Sequence, residues 1–148
     1  MKTITPGEAY IKARDDAERS FIVDVRSQAE YEFVGHPSMA YNIPYEYWTP
    51  KGNEKNPRFV ENVSKRFSRT DTFMILCRSG KRSPFASEEL ERAGFQNILD
   101  VSEGFEGPIL ADENSIYCGF RGKVSGWQHA GLPYTYDIDP RLAYSDRE

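Results

Sequence analysis

The sequence predicts an α/β domain with a mainly parallel central β-sheet and helices on both faces. Three observations carry that expectation. Short apolar, β-branched runs at Phe21–Val25, Thr72–Leu76 and Asn97–Val101 read as buried strands. Helix start and stop chemistry fills the segments between them. Strands alternating with helices are the pattern of right-handed crossovers, which place helices on either side of a parallel sheet.

In chain order, Thr5-Pro6-Gly7-Glu8 opens the first helix: Thr5 caps, Pro6 suits the first helical position and Glu8 completes a capping box. That helix runs to about Asp16. After the strand at Phe21–Val25, Ser27 to Phe33 forms a second helix that stops near Gly35 and Pro37. Tyr41-Asn42-Ile43 is a short strand. The stretch Pro44 to Asn56, rich in Tyr, Trp, Pro, Gly and Asn, is expected to be a long loop.

Asn56-Pro57 caps a helix through about Phe67, with Phe59 and Val63 on its buried face. Thr72–Leu76 is the clearest core strand, and it ends directly at Cys77. Ser83 caps the next helix, with Pro84 at its first position, Gly94 as its stop, and Ala86, Leu90 and Ala93 on one stripe. Residues 108–126 are irregular, Ser125 to Ala130 is one helical turn, and no element is assigned from Tyr134 onward.

The 148 residues are of one-domain size, and 39% hydrophobic content with nine Phe and nine Tyr is enough for a packed core. A formal charge of −4 argues against a general nucleic-acid binder. No run approaches the roughly 20 apolar residues of a membrane-spanning helix, and no leader is evident at Met1. A cytoplasmic protein is therefore expected, or a periplasmic one where a leader has been removed; a monomer is the default. Two cysteines and two distant histidines leave no metal site, and no cofactor is expected.

Cys77 lies where a buried strand meets a helix, and in parallel sheets function collects at the carboxyl ends of strands. The helix N-terminus supplies unpaired N–H groups and a partial positive charge. Arg78, Lys81 and Arg82 add three cations within five residues. Such a setting favours the nucleophilic thiolate, and a loop containing Gly80 can turn its amides toward an anion. These residues define a reactive thiolate in an anion-binding loop and do not choose between sulfur and phosphate chemistry.

The run Cys77-Arg78-Ser79-Gly80-Lys81-Arg82-Ser83 resembles the active-site loop of the rhodanese-like family, in which a cysteine and an arginine bracket a six-residue turn. Here four residues separate Cys77 from Arg82. Cysteine phosphatases use a loop longer by one residue, which would place their arginine at Ser83. Phe21 to Arg26, Glu30-Tyr31-Glu32-Phe33, Gly35-His36 and Asn42-Ile43-Pro44 are similar to the family's first block. Ser83 to Ile98 is similar to its next helix and strand. Gly126-Trp127 and Ala130 to Pro133 resemble an ending of single-domain members. Pro37 and Met39 stand where members usually carry Ile and Gly, and Glu103-Gly104 where they carry paired glycines.

The resemblance implies a single rhodanese-like domain over residues 4–135, followed by a C-terminal tail at 136–148. It also implies a sulfurtransferase that moves sulfane sulfur from a thiosulfate-like or persulfide donor to a thiophilic acceptor through a persulfide on Cys77. Arg78, Ser79, Gly80, Lys81, Arg82 and Ser83 would bind the small anionic donor, Arg82 also closing the loop through backbone contacts. Asp24 and Arg26 would support the loop, and a protein thiol could receive the sulfur. The alternatives are a non-catalytic or carrier-type binding module of the same fold, or a phosphatase of the Cdc25 type or arsenate reductase. His36 is assigned a structural role. Tyr45, Tyr47 and Trp48 either wall the pocket mouth or pin their loop to the core, the second being favoured. Cys118 is expected to be partly buried.

Overall fold

The computed structural model describes residues 1–145; the last three residues of the 136–148 tail lie outside that range. In chain order the elements are β1 (Lys2–Ile4), α1 (Pro6–Asp15), β2 (Ser20–Asp24), α2 (Gln28–Phe33), β3 (His36–Pro37), β4 (Tyr41–Asn42), β5 (Glu46–Thr49), β6 (Gly52–Lys55), α3 (Phe59–Arg66), β7 (Thr72–Leu76), α4 (Ser83–Arg92), β8 (Asn97–Val101) and β9 (Tyr134–Thr135). The expected capping box closes α1, and a second one, not anticipated, closes α2. Thr5 and Glu8 exchange side-chain-to-backbone bonds at α1, and Ser27 and Glu30 do so at α2.

Five strands form one all-parallel sheet in the order β1-β8-β7-β2-β4. The period-2 alternation of β7 divides its side chains between two cores. Phe73, Ile75 and Cys77 join Phe59, Val63, Ala86 and Leu90 beneath α3 and α4. Met74 and Leu76 join Ala9, Ala13, Tyr31 and Trp127 on the side of α1 and α2. With β2 and β8 on either side, β7 is central and buried on both faces. Its register pairs Asp24 with Leu76, so the chains leaving β2 and β7 emerge side by side.

Three expectations change. Residues 44–56 are a β-hairpin rather than a loop: Trp48 pairs with Asn53 and Thr49 with Gly52 across a two-residue turn. Thr49 Oγ1 stabilises the turn, donating to Gly52 O and accepting from Lys51 N. Residues 2–4 form β1, an edge strand paired with Leu99, Asp100 and Val101; only Ile4 of its side chains is buried, so its own pattern carries no strand signal. Tyr134 and Thr135, assigned no element, pair antiparallel with Pro37 and His36.

Two local caps also differ. Arg58 is the residue before α3, and Asn56 acts earlier by accepting from Arg58 N. Arg82, not Ser83, precedes α4. It has αR geometry and no side-chain cap bond, and Ser83 is already helical. Cys118 is exposed rather than partly buried.

Candidate active site

Cys77 directly follows β7 and is 1% exposed. Its Sγ accepts from Gly80 N at 3.1 Å and lies 3.4 Å from Ser83 Oγ. Gly80 reaches this position at φ +94°, a backbone conformation that strains any residue with a Cβ. The α4 N-terminus, lacking a side-chain cap, leaves its first amides available at the same place.

The carbonyls of this segment are held away from the sulfur. Cys77 O accepts from Phe105 N at 2.8 Å, and Arg78 O accepts from Glu106 N and Gly107 N at 2.9 and 3.0 Å. The chain after β8 thus fixes the peptide orientation of the cysteine loop. Gly104 allows the close approach: a Cβ there would stand 2.5 Å from Cys77 O and from Arg78 C and O. Glu103, at the position of the family's other glycine, keeps a left-handed conformation at φ 64°.

Arg82 does not close the loop through backbone contacts. Its guanidinium makes a two-pronged ion pair with Glu30, Nη1 to Oε1 at 2.8 Å and Nη2 to Oε2 at 2.9 Å. Glu30 also accepts from Ser27 N and Oγ, so one carboxylate both caps α2 and anchors the cysteine loop. Burial alone would raise the Glu30 carboxyl. Hydrogen bonds and charge from Arg82, with the charge of Arg26, overcome that and bring it down to about 2. A depressed carboxyl contributes stability above its unfolded value of about 4.5 and loses it as the pH falls toward 2.

Glu30→Gln is therefore expected to cost about 2 kcal/mol at pH 7, a fifth of the Glu30 side chain remaining in water. The deficit should shrink between pH 4.5 and pH 2. Urea midpoints across that range check it, and an unchanged gap at pH 3 would show that the ion pair is not its origin.

Asp24 and Arg26 form a fully buried ion pair behind the loop, at 2.6 and 2.9 Å. Arg26 also donates to Gly35 O and lies 4.4 Å over the Phe105 ring. The pair ties the end of β2 to the segment that orients the Cys77 carbonyl, and neither residue lines the cavity over the sulfur. Asn42 donates from its amide to Asp24 O and Arg26 O, fixing the same corner.

The Asp100 carboxyl of β8 is buried, and its Oδ1 has no hydrogen-bond partner. Burial raises this carboxyl above its ordinary value, against the lowering effect of Ser83. A raised folded-state value makes Asp100 a stability cost above its unfolded titration, and the cost disappears as the pH falls below it. Asp100→Asn removes the charge at nearly unchanged volume. It is expected to raise the melting midpoint at pH 8 by about 2–4 °C, a gain that vanishes near pH 3. Thermal scans at the two pH values decide it, and an equal gain at both would refute the charge explanation.

A cavity of about 490 Å³ opens over Cys77 and is lined by Arg78, Ser79, Lys81 and Arg82 together with Ser27, Ala29, Glu30, Phe33, Val34, Glu46, Trp48 and Asn53. The structure thus brings the candidate loop residues to one place, with Gly80 and Ser83 contacting the sulfur from beside and below. Glu30 had a visible signal in the Ser27-to-Glu30 capping box, whereas its partner Arg82 did not. The aromatic residues of the hairpin divide: Tyr45 packs edge-on against Phe59, Tyr47 Oη is 2.9 Å from Tyr144 Oη, and Trp48 faces the cavity. His36 stacks on Tyr31 at 3.6 Å and its Nδ1 meets Tyr31 O at 2.7 Å, a structural arrangement. Cys118 is not among the cavity residues.

A buried cysteine at the carboxyl end of a central parallel strand, bonded by the Gly80 amide before a helix N-terminus and opening to a cavity lined by Arg78 and Lys81, defines the thiol-centred α/β class. The sequence profile of the Rhodanese-like domain family matches residues 7–108. The chain is 45% identical over 83 residues to senescence-associated protein DIN1 of Raphanus sativus, covering 56% of this chain and 45% of that protein. It is 39% identical over 83 residues to thiosulfate sulfurtransferase 16, chloroplastic, of Arabidopsis thaliana, covering 56% and 68%. The crystal structure of Rv0390 from M. tuberculosis superposes with a TM-score of 0.78 at 32% identity, covering 93% of this chain and 98% of that one. The chain spans about half the length of DIN1 and of rhodanese-like domain-containing protein 15, chloroplastic, of Arabidopsis thaliana, at 45% and 51%. This protein belongs to the rhodanese-like domain family.

Proposed function

We propose that the domain is a sulfurtransferase in which Cys77 carries sulfane sulfur as a persulfide. The observation that carries this reading is Cys77 Sγ beneath a cavity lined by Arg78, Lys81 and Arg82, within 3.1 Å of the Gly80 amide and 3.4 Å of the Ser83 hydroxyl. The Cys77 thiolate attacks the outer sulfur of a small anionic donor such as thiosulfate. The donor's S–S bond breaks, sulfite leaves with the bonding pair, and a Cys77 persulfide anion remains. Arg78 and Lys81 attract the dianion, while the loop amides stabilise the persulfide charge. In the second half-reaction a thiolate or cyanide takes the terminal sulfur and returns Cys77 to the thiolate.

Arg82 supports the sulfur reading over a phosphate reading. Its guanidinium is committed to Glu30, and four residues separate it from Cys77. The reading is tested by intact and peptide mass spectrometry after thiosulfate treatment. A gain of one sulfur on the Cys77 peptide, removed by cyanide with release of thiocyanate, is expected. Absence of that adduct with both thiosulfate and an organic persulfide would overturn it.

A further inference from the structure

We infer that the cavity over Cys77 selects an organic sulfane-sulfur donor, an anionic head joined to an apolar body, through Trp48 and Phe33. The inference deepens the sulfurtransferase reading and rests on it. A small inorganic dianion needs cations and amides, and the loop supplies both. It gains nothing from an apolar wall. Yet Trp48 and Phe33, 69% and 78% exposed, stand on the same cavity as Arg78 and Lys81. The same two aromatics also border an adjoining depression with Ala29, Glu32 and Tyr47, so the apolar ridge continues outward from the sulfur.

The exposure of Trp48 is not slack in its hairpin. Tyr45 is packed on Phe59, Tyr47 is bonded to Tyr144, and Lys55 is paired with Glu89 at 3.0 Å. The strand is anchored through these residues, with Trp48 held to the cavity beside its cross-strand partner Asn53. Two large aromatic surfaces in water at the mouth of a site lose hydrophobic free energy that an apolar ligand restores. The volume of about 490 Å³ falls in the roughly 300–1,000 Å³ range of sites for drug-sized ligands. Cations at the loop and aromatics at the rim match a donor that is charged at the sulfur end and apolar at the other.

Thiosulfonates isolate the effect, because the sulfur chemistry is fixed while the body varies. Cys77 thiolate attacks the outer sulfur, the S–S bond breaks, and a sulfinate leaves with the electron pair. Wild type is expected to show a kcat/KM for benzenethiosulfonate about tenfold or more above that for methanethiosulfonate, with cyanide as acceptor. In Trp48→Ala that ratio should fall toward one, and in Phe33→Ala it should fall part of the way. The second variant keeps the test open if the first fails to fold. Equal kcat/KM for the two donors in wild type, or a ratio untouched in the folded variants, would overturn the inference; the former outcome fits a rim that serves a protein thiol. Should thiosulfate and an organic persulfide as well as both thiosulfonates fail to load Cys77, the sulfurtransferase reading fails separately. Calorimetry on Cys77→Ser then decides the cavity: benzenesulfinate binding about tenfold tighter than methanesulfinate supports it, and equal binding overturns it.

Discussion

Cys77→Ser is expected to lower kcat/KM for thiosulfate:cyanide transfer by at least about 10³-fold while leaving the fold in place. In the proposed reaction the sulfur is the atom that bonds the transferred sulfur, and a serine hydroxyl is not ionised at neutral pH and forms no persulfide. The oxygen is smaller than sulfur and can still accept from Gly80 N, so the loop keeps its internal bond. The loss should therefore appear in turnover and in the mass adduct, with the urea midpoint within about 1 kcal/mol of wild type. Retention of the sulfur adduct elsewhere in Cys77→Ser, at wild-type rate, would move the carrier away from Cys77. Exposed Cys118 is the obvious residue to examine in that event.

Gly104→Ala is expected to be strongly destabilising, costing about 3 kcal/mol or more. The new Cβ would stand 2.5 Å from the Cys77 and Arg78 backbone, where no flexible side chain can yield. The left-handed φ of +69° adds conformational strain. Relief would have to come from separating the 104–107 segment from the loop, breaking the bonds from Phe105 N, Glu106 N and Gly107 N. Those bonds orient the peptides around the sulfur, so folded Gly104→Ala should also load sulfur more slowly. Gly52→Ala is the control: its φ is +103°, but a Cβ there meets nothing within 4 Å. It should cost only about 1 kcal/mol. Urea unfolding and the rate of sulfur loading check both variants, and equal costs at the two glycines would refute steric crowding.

Glu103 shows how a sequence departure is absorbed. Glycine commonly fills such a left-handed position because it has no Cβ, and here a glutamate accepts the strain at φ 64°. The turn is held by the flanking bonds of Ser102 N to Ile4 O and Phe105 N to Cys77 O. The neighbouring Gly104 could not be exchanged in the same way, since the obstacle there is another backbone rather than a torsion.

The sequence by itself determined the parts governed by interactions within a few residues. The capping box at Thr5, the helix opening at Ser27, the buried run of β7, and the stop of α4 at Gly94 are all local, and each forms where its pattern places it. The same is true of the cysteine loop as a unit, with Cys77 at a strand end and cations before a helix. Tertiary structure decided what those groups face. Arg82 was free, as far as sequence could tell, to close its own loop, and packing of α2 beside it presented the Glu30 carboxylate instead. Ser83 has the chemistry of a cap, but its buried hydroxyl faces the Cys77 sulfur at the end of a distant strand.

Pairing between distant segments was equally beyond local pattern. A strand of two residues such as β9 has no periodicity to detect and exists because His36 and Pro37 lie opposite it. Three aromatic residues within 45–48 look alike in composition, yet Tyr45 and Tyr47 found partners at Phe59 and Tyr144, and Trp48 was left at the rim over the sulfur. Hydrophobicity is a property of the residue, while exposure at a site is a property of what the rest of the chain has already covered.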